Sequence, residues 1–406
     1  MPYYSYIAKS FKGEPKTGVL EAKNEHELAR ILRKEGYILI STESEGKAVK
    51  KKKIRISIPF LDRVSLVQKI MFTRNLRVMM GAGVSLIRAL KILSLQSESK
   101  RLKKALLEIR EEIIKGKNFS DTLSKYPNIF SNLFCSMVKV GEESGTLEQV
   151  LDNLIQHMEK EHELKSKIKG ALIYPAVIIT AMIGIGILML IMVVPKLAET
   201  FEELGMDLPV TTRFVIVMGS FSAKFWYLFP LIFLFLLILL RIAVKTKTGK
   251  LIIDTLVLKI PVVASLIRKT NSAYTVRTLS SLIASGVPIV KCLELVSGSL
   301  GNIYYKRAML DAAEQVKKGG KLAEVLKKYE NIYPILVIQM IEVGEETGET
   351  SSILEKLADF FEDEVANTTK NLSTVIEPVL MLVIGAAVGF FAISMIQPIY
   401  SMVGSL

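Results

Sequence analysis

The sequence predicts a mainly α integral membrane protein with two homologous cytoplasmic helical bundles, three transmembrane helices and a small N-terminal α+β module. Three observations predict this class. The chain of 406 residues has three long apolar runs with uncharged interiors, it repeats itself at a fixed offset, and only its N-terminal part alternates as strands do. Half of its residues are hydrophobic although 23% are charged, which is typical of soluble parts joined to very apolar segments.

Residues 1–44 are predicted to form the α+β module. The stretches "YYSYIAKS" and "KTGVLEAK" are typical of two strands, and "YILIS" of a third. Between them, "NEHELARILRKEG" predicts a helix that Asn24 caps. No apolar signal peptide is recognised, so we expect this module in the cytoplasm. Residues 45–60 are rich in lysine and are predicted to be a linker beside an anionic membrane surface.

The two helical bundles are predicted at residues 61–170 and 250–373, with about six helices each. They are copies of one unit, because an offset of 203 residues holds without a gap over more than 120 positions. For example, "AGVSLIRALKILS" from Ala82 corresponds to "SGVPIVKCLELVS" from Ser285, and Arg74 corresponds to Arg277. Apolar residues recur at spacings of three and four in these segments, which predicts helices.

Three segments are predicted to cross the membrane, namely 171–194, 221–243 and 376–398. Each lies in a run close to or beyond the ~20 apolar residues that a spanning helix needs. Basic residues cluster before the first span and after the second, whereas segment 195–220 has more acidic than basic residues. We therefore expect the N-terminus and both bundles in the cytoplasm, and segment 195–220 and the tail 399–406 outside.

The last helix of each copy is predicted to enter the membrane through a proline, Pro175 or Pro378. A proline removes one intrahelical hydrogen bond and bends the helix, so both are predicted hinges between a bundle and its span. Since the first copy leaves the chain outside and the second must begin inside, one return crossing is required between them.

A repeated acidic phrase is the candidate functional site. It reads "VGEESGTLEQVL" from Val140 and "VGEETGETSSIL" from Val343, with two glutamates between two glycines in each copy. We expect a tight corner between helices that needs the glycines. The candidate residues are Gly141, Glu142, Glu143 and Gly145 in the first copy and Gly344, Glu345, Glu346 and Gly348 in the second.

The glutamates are expected just before a helix N-terminus, where negative charge is favoured. Thr146 with Gln149, and Ser352 with Glu355, match the pattern of a capping box for that helix. Two roles remain open for the acidic pairs: local support of the following helix, or contact with a protein partner or a cation.

No catalytic, cofactor-binding or metal-binding residues are predicted. Cys135 and Cys292 are interpreted as small buried apolar residues. The stretch "HMEKEHELK", with His157 and His162, is interpreted as a solvated charged helix and not as a metal site. An ATP-hydrolysing motor is excluded because no phosphate-binding loop exists, and "KTKTGKL" has Leu251 where serine or threonine is required.

The chain resembles the inner-membrane platform proteins shared by type II secretion systems and type IV pili. The stretches that carry the resemblance are "GAGVSLIRALKIL", "VGEESGTLEQVLDNL", "KIKGALIYPAVII" and "VPKLAETFEELGMDLP", together with "ASGVPIVKCLELV", "VGEETGET" and "IEPVLMLVIGAAVGF" in the second half. The resemblance covers almost the whole chain. One departure is Thr350, where a leucine is usual in the family.

The resemblance implies a non-enzymatic adaptor in the bacterial inner membrane. Its implied partners are a cytoplasmic hexameric ATPase, pilin or pseudopilin subunits and other inner-membrane assembly proteins, and we expect self-association. The net charge of +13 is attributed to the lipid bilayer and not to nucleic acid, because basic residues flank the apolar runs. Whether the machine secretes proteins, moves pili or takes up DNA is left open.

A membrane transporter for small solutes, built on the duplicated unit, is the alternative function. Duplicated membrane proteins often move solutes, which favours this class. However, three spans form a thin pathway, and beyond Lys224, which can extend to the membrane surface, only the flanking Glu377 is ionisable near a span, whereas a carrier is expected to have intramembrane charges.

Overall fold

The computed structural model describes residues 3–10, 15–44, 63–203 and 208–403, and the chain falls into two compact units, residues 1–62 and 63–406. The predicted linker lies outside the described residues, as do four residues of the predicted outer segment and the end of the tail.

The first unit is a three-stranded antiparallel sheet with one helix. Its elements are β1 (Tyr3–Ser10), β2 (Pro15–Glu21), α1 (Glu25–Lys34) and β3 (Tyr37–Ser44), with the strand order β2-β1-β3. The Asn24 side chain accepts a hydrogen bond from the Glu27 amide at 2.9 Å, which confirms the predicted N-cap. Leu28 and Leu32, four residues apart on α1, are fully buried with Tyr6 and Ala8 of the central strand.

The second unit begins with a bundle of six helices. They are α2 (Leu66–Gly81), α3 (Leu86–Gln96), α4 (Lys100–Ile114), α5 (Phe119–Ser124), α6 (Asn132–Ser144) and α7 (Leu147–Leu188). Ser65 starts the bundle with a reciprocal capping box, in which its hydroxyl accepts from the Gln68 amide and the Gln68 side chain accepts from the Ser65 amide.

Four further helices connect the first bundle to the second. A π-helical turn, Met189–Val193, continues α7 into α8 (Val194–Glu203), and α9 (Val210–Lys224), α10 (Leu228–Lys245) and α11 (Lys247–Lys259) follow. The Asp254 carboxylate on α11 accepts from the Ile303 amide at 2.8 Å. It therefore caps the N-terminus of the helix in the second bundle that begins at Ile303.

The second bundle repeats the first helix by helix. Its elements are α12 (Pro261–Ala284), α13 (Ile289–Ser299), α14 (Ile303–Lys317), α15 (Leu322–Lys327), α16 (Ile335–Thr347) and α17 (Thr350–Val403). The buried apolar side chains of both bundles join into one hydrophobic core. Cys135 and Cys292 are both buried in it, as predicted.

In the described part of the chain, three helical stretches are long and apolar enough to cross a membrane. They are Leu147–Glu203, Leu228–Lys245 and Thr350–Pro398. Most of their apolar side chains are exposed in the isolated molecule, as is expected of surfaces that face lipid. Three spanning helices were predicted, and the described residues contain three candidates for them.

Two predicted boundaries differ from the structure. Segment 221–243, predicted as one span, is broken by a turn between the end of α9 at Lys224 and the start of α10 at Leu228. Segment 195–220, predicted as an outer loop, is largely helical because α8 and α9 occupy most of it. Val194 and Phe201 of α8, Val215 of α9 and Met395 of the last helix are buried in one small cluster, and the Thr212 hydroxyl donates to the Ser394 carbonyl. Hydrophobicity alone did not distinguish this packing from contact with lipid.

Candidate functional site: two glycine–glutamate corners

The glycines shape the corner between α6 and α7, and that between α16 and α17. Gly145 and Gly348 follow the first helix of each corner in the left-handed conformation, with φ of 74° and 76°. This conformation costs other residues roughly 1–2 kcal/mol, so glycine can end the helix here without backbone strain.

The first glycine of each phrase allows the two helices to approach closely. A Cβ on Gly141 would lie 3.0 Å from the Cα of Leu147 and 2.9 Å from the Cγ2 of Val150. In the second copy, a Cβ on Gly344 would lie 3.1 Å from the Cα of Thr350. Both corners therefore exclude side chains at this position.

The first glutamate of each pair caps a different helix from the predicted one. The Glu142 carboxylate accepts from the amides of Phe119 and Ser120 at 2.6 and 3.0 Å, and from the Ser120 hydroxyl at 2.7 Å. These amides begin α5, whose own N-cap Asn118 makes no side-chain capping bond. These backbone N–H groups have no partner within the short helix. Glu142 satisfies them although it lies 23 and 22 residues away in the sequence, and its negative charge is favourable at a helix N-terminus.

The second copy reproduces this arrangement. The Glu345 carboxylate accepts from the amides of Leu322 and Ala323 at 2.7 and 3.1 Å. The N-cap of α15 is Lys321, which has no acceptor in its side chain. The duplicated phrase therefore encodes a duplicated long-range helix cap.

The predicted position of the glutamates and the predicted capping boxes were wrong. The glutamates lie in the last turn of α6 and of α16, and not before the next helix. Thr146 makes no capping bond, and its hydroxyl lies 2.7 Å from that of Ser144. Ser352 is inside α17, which begins at Thr350, whose hydroxyl donates to the Gly344 carbonyl. The Thr146 hydroxyl therefore makes its contact with α6 and not with the amides of α7, and Ser352 lies inside α17 and is not its N-cap.

The second glutamate of each pair faces outward. The Glu143 side chain is 64% exposed and lies 3.8 Å from the Nζ of Lys139, one turn earlier. Glu346 is exposed as well and forms no ion pair with any residue that the structure describes. Each acidic pair thus divides into one internal cap and one surface charge.

Replacing Glu142 by glutamine is expected to loosen α5. The amide of glutamine can accept at only one of the two oxygen positions, and the positive partial charge of the helix N-terminus loses its counter-charge. The free energy that stabilises α5 should therefore fall by about 1–2 kcal/mol. Hydrogen exchange of the α5 amides measures it, with an expected acceleration of about fivefold or more. Glu143→Gln is the matched control and should leave α5 protection unchanged. Equal acceleration in both variants would refute the capping role.

Pro175 and Pro378 lie inside uninterrupted helices, α7 and α17. Pro175 is buried and Pro378 is exposed, so their surroundings differ although their positions in the repeat match. That they are hinges stays a prediction.

The structure also shows a polar junction between the bundles that the sequence analysis missed. The Nε of Arg277 on α12 donates to Glu362 on α17 at 2.7 Å, and both side chains are almost 90% buried. Lys160 of α7 joins this pair from the first bundle, with its Nζ 3.2 Å from Asp359. Burial acts to raise the pKa of Asp359, but Arg277 and Lys160 stabilise the carboxylate and lower it.

A signal for this junction was present in the repeat. Arg277 and Glu362 have the counterparts Arg74 and Glu159, which also pair, so both charges are kept at the same offset. Opposite charges kept in register in both copies indicate spatial neighbours.

His157 corrects the prediction of a solvated charged stretch. Its side chain is 4% exposed, and its ring packs edge-on against Tyr274 of α12 at a centroid distance of 6.4 Å. Burial lowers the pKa of His157 to about 4, so the ring is neutral at pH 7. The second bundle covers this face of α7, which a helix-by-helix interpretation of the sequence cannot show.

Comparison with known families tests the identity of the repeated unit. The family model described as "Type II secretion system (T2SS), protein F" matches residues 72–195 and again 275–398. The model of the N-terminal domain of the same protein matches residues 1–43. The chain belongs to this family. Both the first and the last residues of the two matches lie 203 positions apart, so the duplication is confirmed.

Two curated relatives of the family are similar over almost their full length. The chain is 34% identical to "Type IV pilus assembly protein PilC" of Thermus thermophilus over 407 residues, covering 100% of this chain and 99% of the relative. It is 30% identical to "Type II secretion system protein F" of Vibrio cholerae over 404 residues, covering 99% and 98%. Together with the three apolar helices, this membership identifies an inner-membrane protein.

Proposed function

We propose that the chain is the inner-membrane platform of a type II secretion or type IV pilus machine, and that it couples a cytoplasmic hexameric ATPase to the assembly of pilin or pseudopilin subunits. The names of the relatives support a role in such machinery. In this proposal the chain performs no catalysis itself.

One structural observation carries the proposal. The helical stretch Leu147–Glu203 runs from a corner through the predicted first span, and Thr350–Pro398 does the same in the second copy. A helical stretch of 57 residues is about 85 Å long. A displacement applied at a corner can therefore reach the membrane through one continuous element, without crossing a loop.

The outward-facing glutamates Glu143 and Glu346 are the proposed contacts for the ATPase. They lie beside the bundle ends of these two long stretches and are exposed. Glu143 lies 3.8 Å from Lys139 of its own helix, a contact between exposed side chains that contributes little to stability. Exposed acidic groups of this kind mainly affect encounter rate and salt dependence of binding. The partner surface should accordingly be basic.

The proposed topology places both corners in the cytoplasm and the start of α9 outside. A cysteine at Glu143, 64% exposed, should react with an impermeant maleimide only after the inner membrane is opened. A cysteine at Val210, 86% exposed, should react in cells whose outer membrane alone is permeable. The reverse pattern would contradict the topology.

Reconstitution distinguishes the platform from the small-solute transporter. Vesicles containing the chain, with the corners facing out, should bind the purified ATPase of the same organism in a salt-dependent manner. They should retain entrapped small solutes as well as empty vesicles do. Solute flux without ATPase binding would favour the transporter and overturn the proposal.

A further inference from the structure

We propose that helix α11, Lys247–Lys259, lies in the headgroup region of the membrane on the side of the bundles. Its exposed apolar side chains enter the lipid, and its lysines contact anionic headgroups. The partner of this surface is therefore the lipid bilayer. This arrangement requires only that the apolar helices cross the membrane, and it does not depend on the proposed ATPase coupling.

The first end of α11 is fixed at the membrane surface. Only Thr246 separates α11 from the candidate span Leu228–Lys245, and this residue has an extended backbone with φ of −82° and ψ of 138°. A Cβ on Gly249 would lie 2.4 Å from the carbonyl oxygen of Ala243, so the chain turns sharply against the end of the span. The helix α11 therefore begins where the span leaves the lipid, and the chain changes direction there.

The helix that follows α11 is α12, which runs antiparallel to α17. Towards the corner, Arg277 of α12 pairs with Glu362 of α17. Nearer to the start of α12, the Nζ of Lys269 donates to the Thr368 hydroxyl at 2.9 Å. Falling residue numbers along α12 are therefore matched by rising numbers along α17, in the direction of the third span.

This register places the second end of α11 level with the predicted start of the third span. A helix rises about 1.5 Å per residue, so Pro261, the first residue of α12, lies about 12 Å from Lys269. The same distance along α17 leads from Thr368 to Ile376, where the third span is predicted to begin. Leu258, near the end of α11, and Ile376 both pack on the edge of the common core, which agrees with this level.

Because both ends of α11 lie at the membrane surface, the helix runs along that surface. Its 13 residues form a helix about 20 Å long. If α11 pointed away from the membrane, it would carry the start of α12 about 20 Å into the water. The register between α12 and α17 instead keeps that start level with the third span.

One face of α11 carries an exposed apolar stripe. Ile252, Leu256 and Ile260, the residue just after the helix, are 52%, 55% and 51% exposed, and their spacing of four places them on one face. The other side is held by the second bundle, because Asp254 caps the helix that begins at Ile303 and because the Thr255 hydroxyl lies 2.8 Å from that of Tyr304. The stripe is therefore continuous with the lipid-facing surface of the adjacent span and cannot turn inwards.

The charges of α11 favour an anionic surface. Three lysines, Lys247, Lys250 and Lys259, stand against one acid, Asp254, which is used as a helix cap. Lys247 and Lys259 are exposed at the two ends of the helix. Lysines beside an apolar stripe bury their methylene groups along it and extend their ammonium groups to the phosphates, as in helices that lie in a membrane interface.

This position gives α11 a mechanical role. The helix is bonded to α14 through Asp254, and its stripe lies in the lipid, so it holds the second bundle at a fixed height on the membrane. Bundle and membrane are thus joined at a place other than the continuous helix α17.

Spin labelling of the full chain in vesicles tests this position. A nitroxide is attached at Leu256→Cys, and its collision rates are measured with oxygen, which concentrates in lipid, and with a nickel chelate, which stays in water. Cys135 and Cys292 are 8% and 0% exposed, so they should not be labelled. In vesicles of phosphatidylethanolamine and phosphatidylglycerol, the label should lie about 5–10 Å into the boundary between headgroups and acyl chains.

Two exposed sites calibrate the depth. Leu236→Cys, at a site 53% exposed in the middle of the candidate span, should be deeper than Leu256→Cys. Val343→Cys, at a site 43% exposed beside the second corner, should collide freely with the nickel chelate.

A pair of double variants tests the contact of the lysines with anionic headgroups. Lys247→Gln/Lys259→Gln should raise the nickel collision rate of the label at Leu256→Cys about twofold or more, and replacing phosphatidylglycerol by a neutral phospholipid should do the same with both lysines present. Lys317→Gln/Lys318→Gln changes the net charge equally at exposed sites at the far end of α14 and should have no effect. An unchanged rate in the α11 variant, or an equal rise in both variants, would overturn this contact.

Three outcomes at Leu256→Cys would overturn the position of α11. Nickel collisions as frequent as at Val343→Cys would show that the stripe lies in water. A depth equal to that of Leu236→Cys would show that α11 continues the span. Protection from both oxygen and nickel would show that protein, and not lipid, covers the stripe. Because no ATPase is present, none of these results bears on the proposed coupling.

Discussion

Replacing Arg277 by methionine is expected to lower the free energy of unfolding of the second bundle by about 3 kcal/mol, because the buried carboxylate of Glu362 loses its hydrogen-bonded partner and keeps only the Lys160 ammonium at 3.5 Å. The two side chains are 11% and 12% exposed, so water cannot replace the lost interaction. The free energy of opening can be measured by hydrogen exchange of the buried amides of α12.

The repeat supplies the matched control for this variant. Arg74→Met removes the equivalent pair with Glu159, whose side chains are 52% and 40% exposed, and should cost less than about 1 kcal/mol. In the double variant Arg277→Met/Glu362→Met, part of the lost free energy of unfolding should be recovered, because both charges of the buried pair are then removed. Equal losses for Arg277→Met and Arg74→Met would contradict the importance of burial at the junction.

Replacing Gly141 by valine is expected to destabilise the first bundle by about 3 kcal/mol, since the new side chain must displace Val150 and the backbone of Leu147. Hydrogen exchange of α6 and of the start of α7 should report the loss, and the corner should open before the rest of the bundle.

Gly298→Val is the control for helix propensity. Gly298 lies near the end of α13 with nothing within 4 Å of an added Cβ, so valine there should change stability by less than about 0.5 kcal/mol. A similar loss at both sites would mean that the close approach of α6 and α7 does not require glycine.

Patterns within one segment were sufficient to predict the elements of this fold. The cap at Asn24, the helical period around Leu90 and the repeat of Arg74 at Arg277 all depend on neighbours in sequence or on a direct comparison of two copies. The number of spanning helices followed from apolar length alone.

Contacts between distant segments could not be predicted in the same way. Glu142 was expected to support the next helix, but it caps α5 from more than 20 residues away. His157 was expected in water, and the second bundle covers it. In both cases tertiary packing, and not local pattern, decides the outcome.

Charge reversal at the outward-facing glutamates tests the proposed coupling most directly. The measurement is the affinity of the purified ATPase for vesicles that contain either the wild-type chain or the double variant Glu143→Lys/Glu346→Lys. A second double variant, Glu98→Lys/Glu330→Lys, changes the net charge equally at exposed sites outside the corners. The account predicts that only the corner variant loses affinity, by about tenfold or more at low salt, with unchanged α5 protection and a smaller difference at high salt. Unchanged affinity in the corner variant, or an equal loss in both variants, would contradict it.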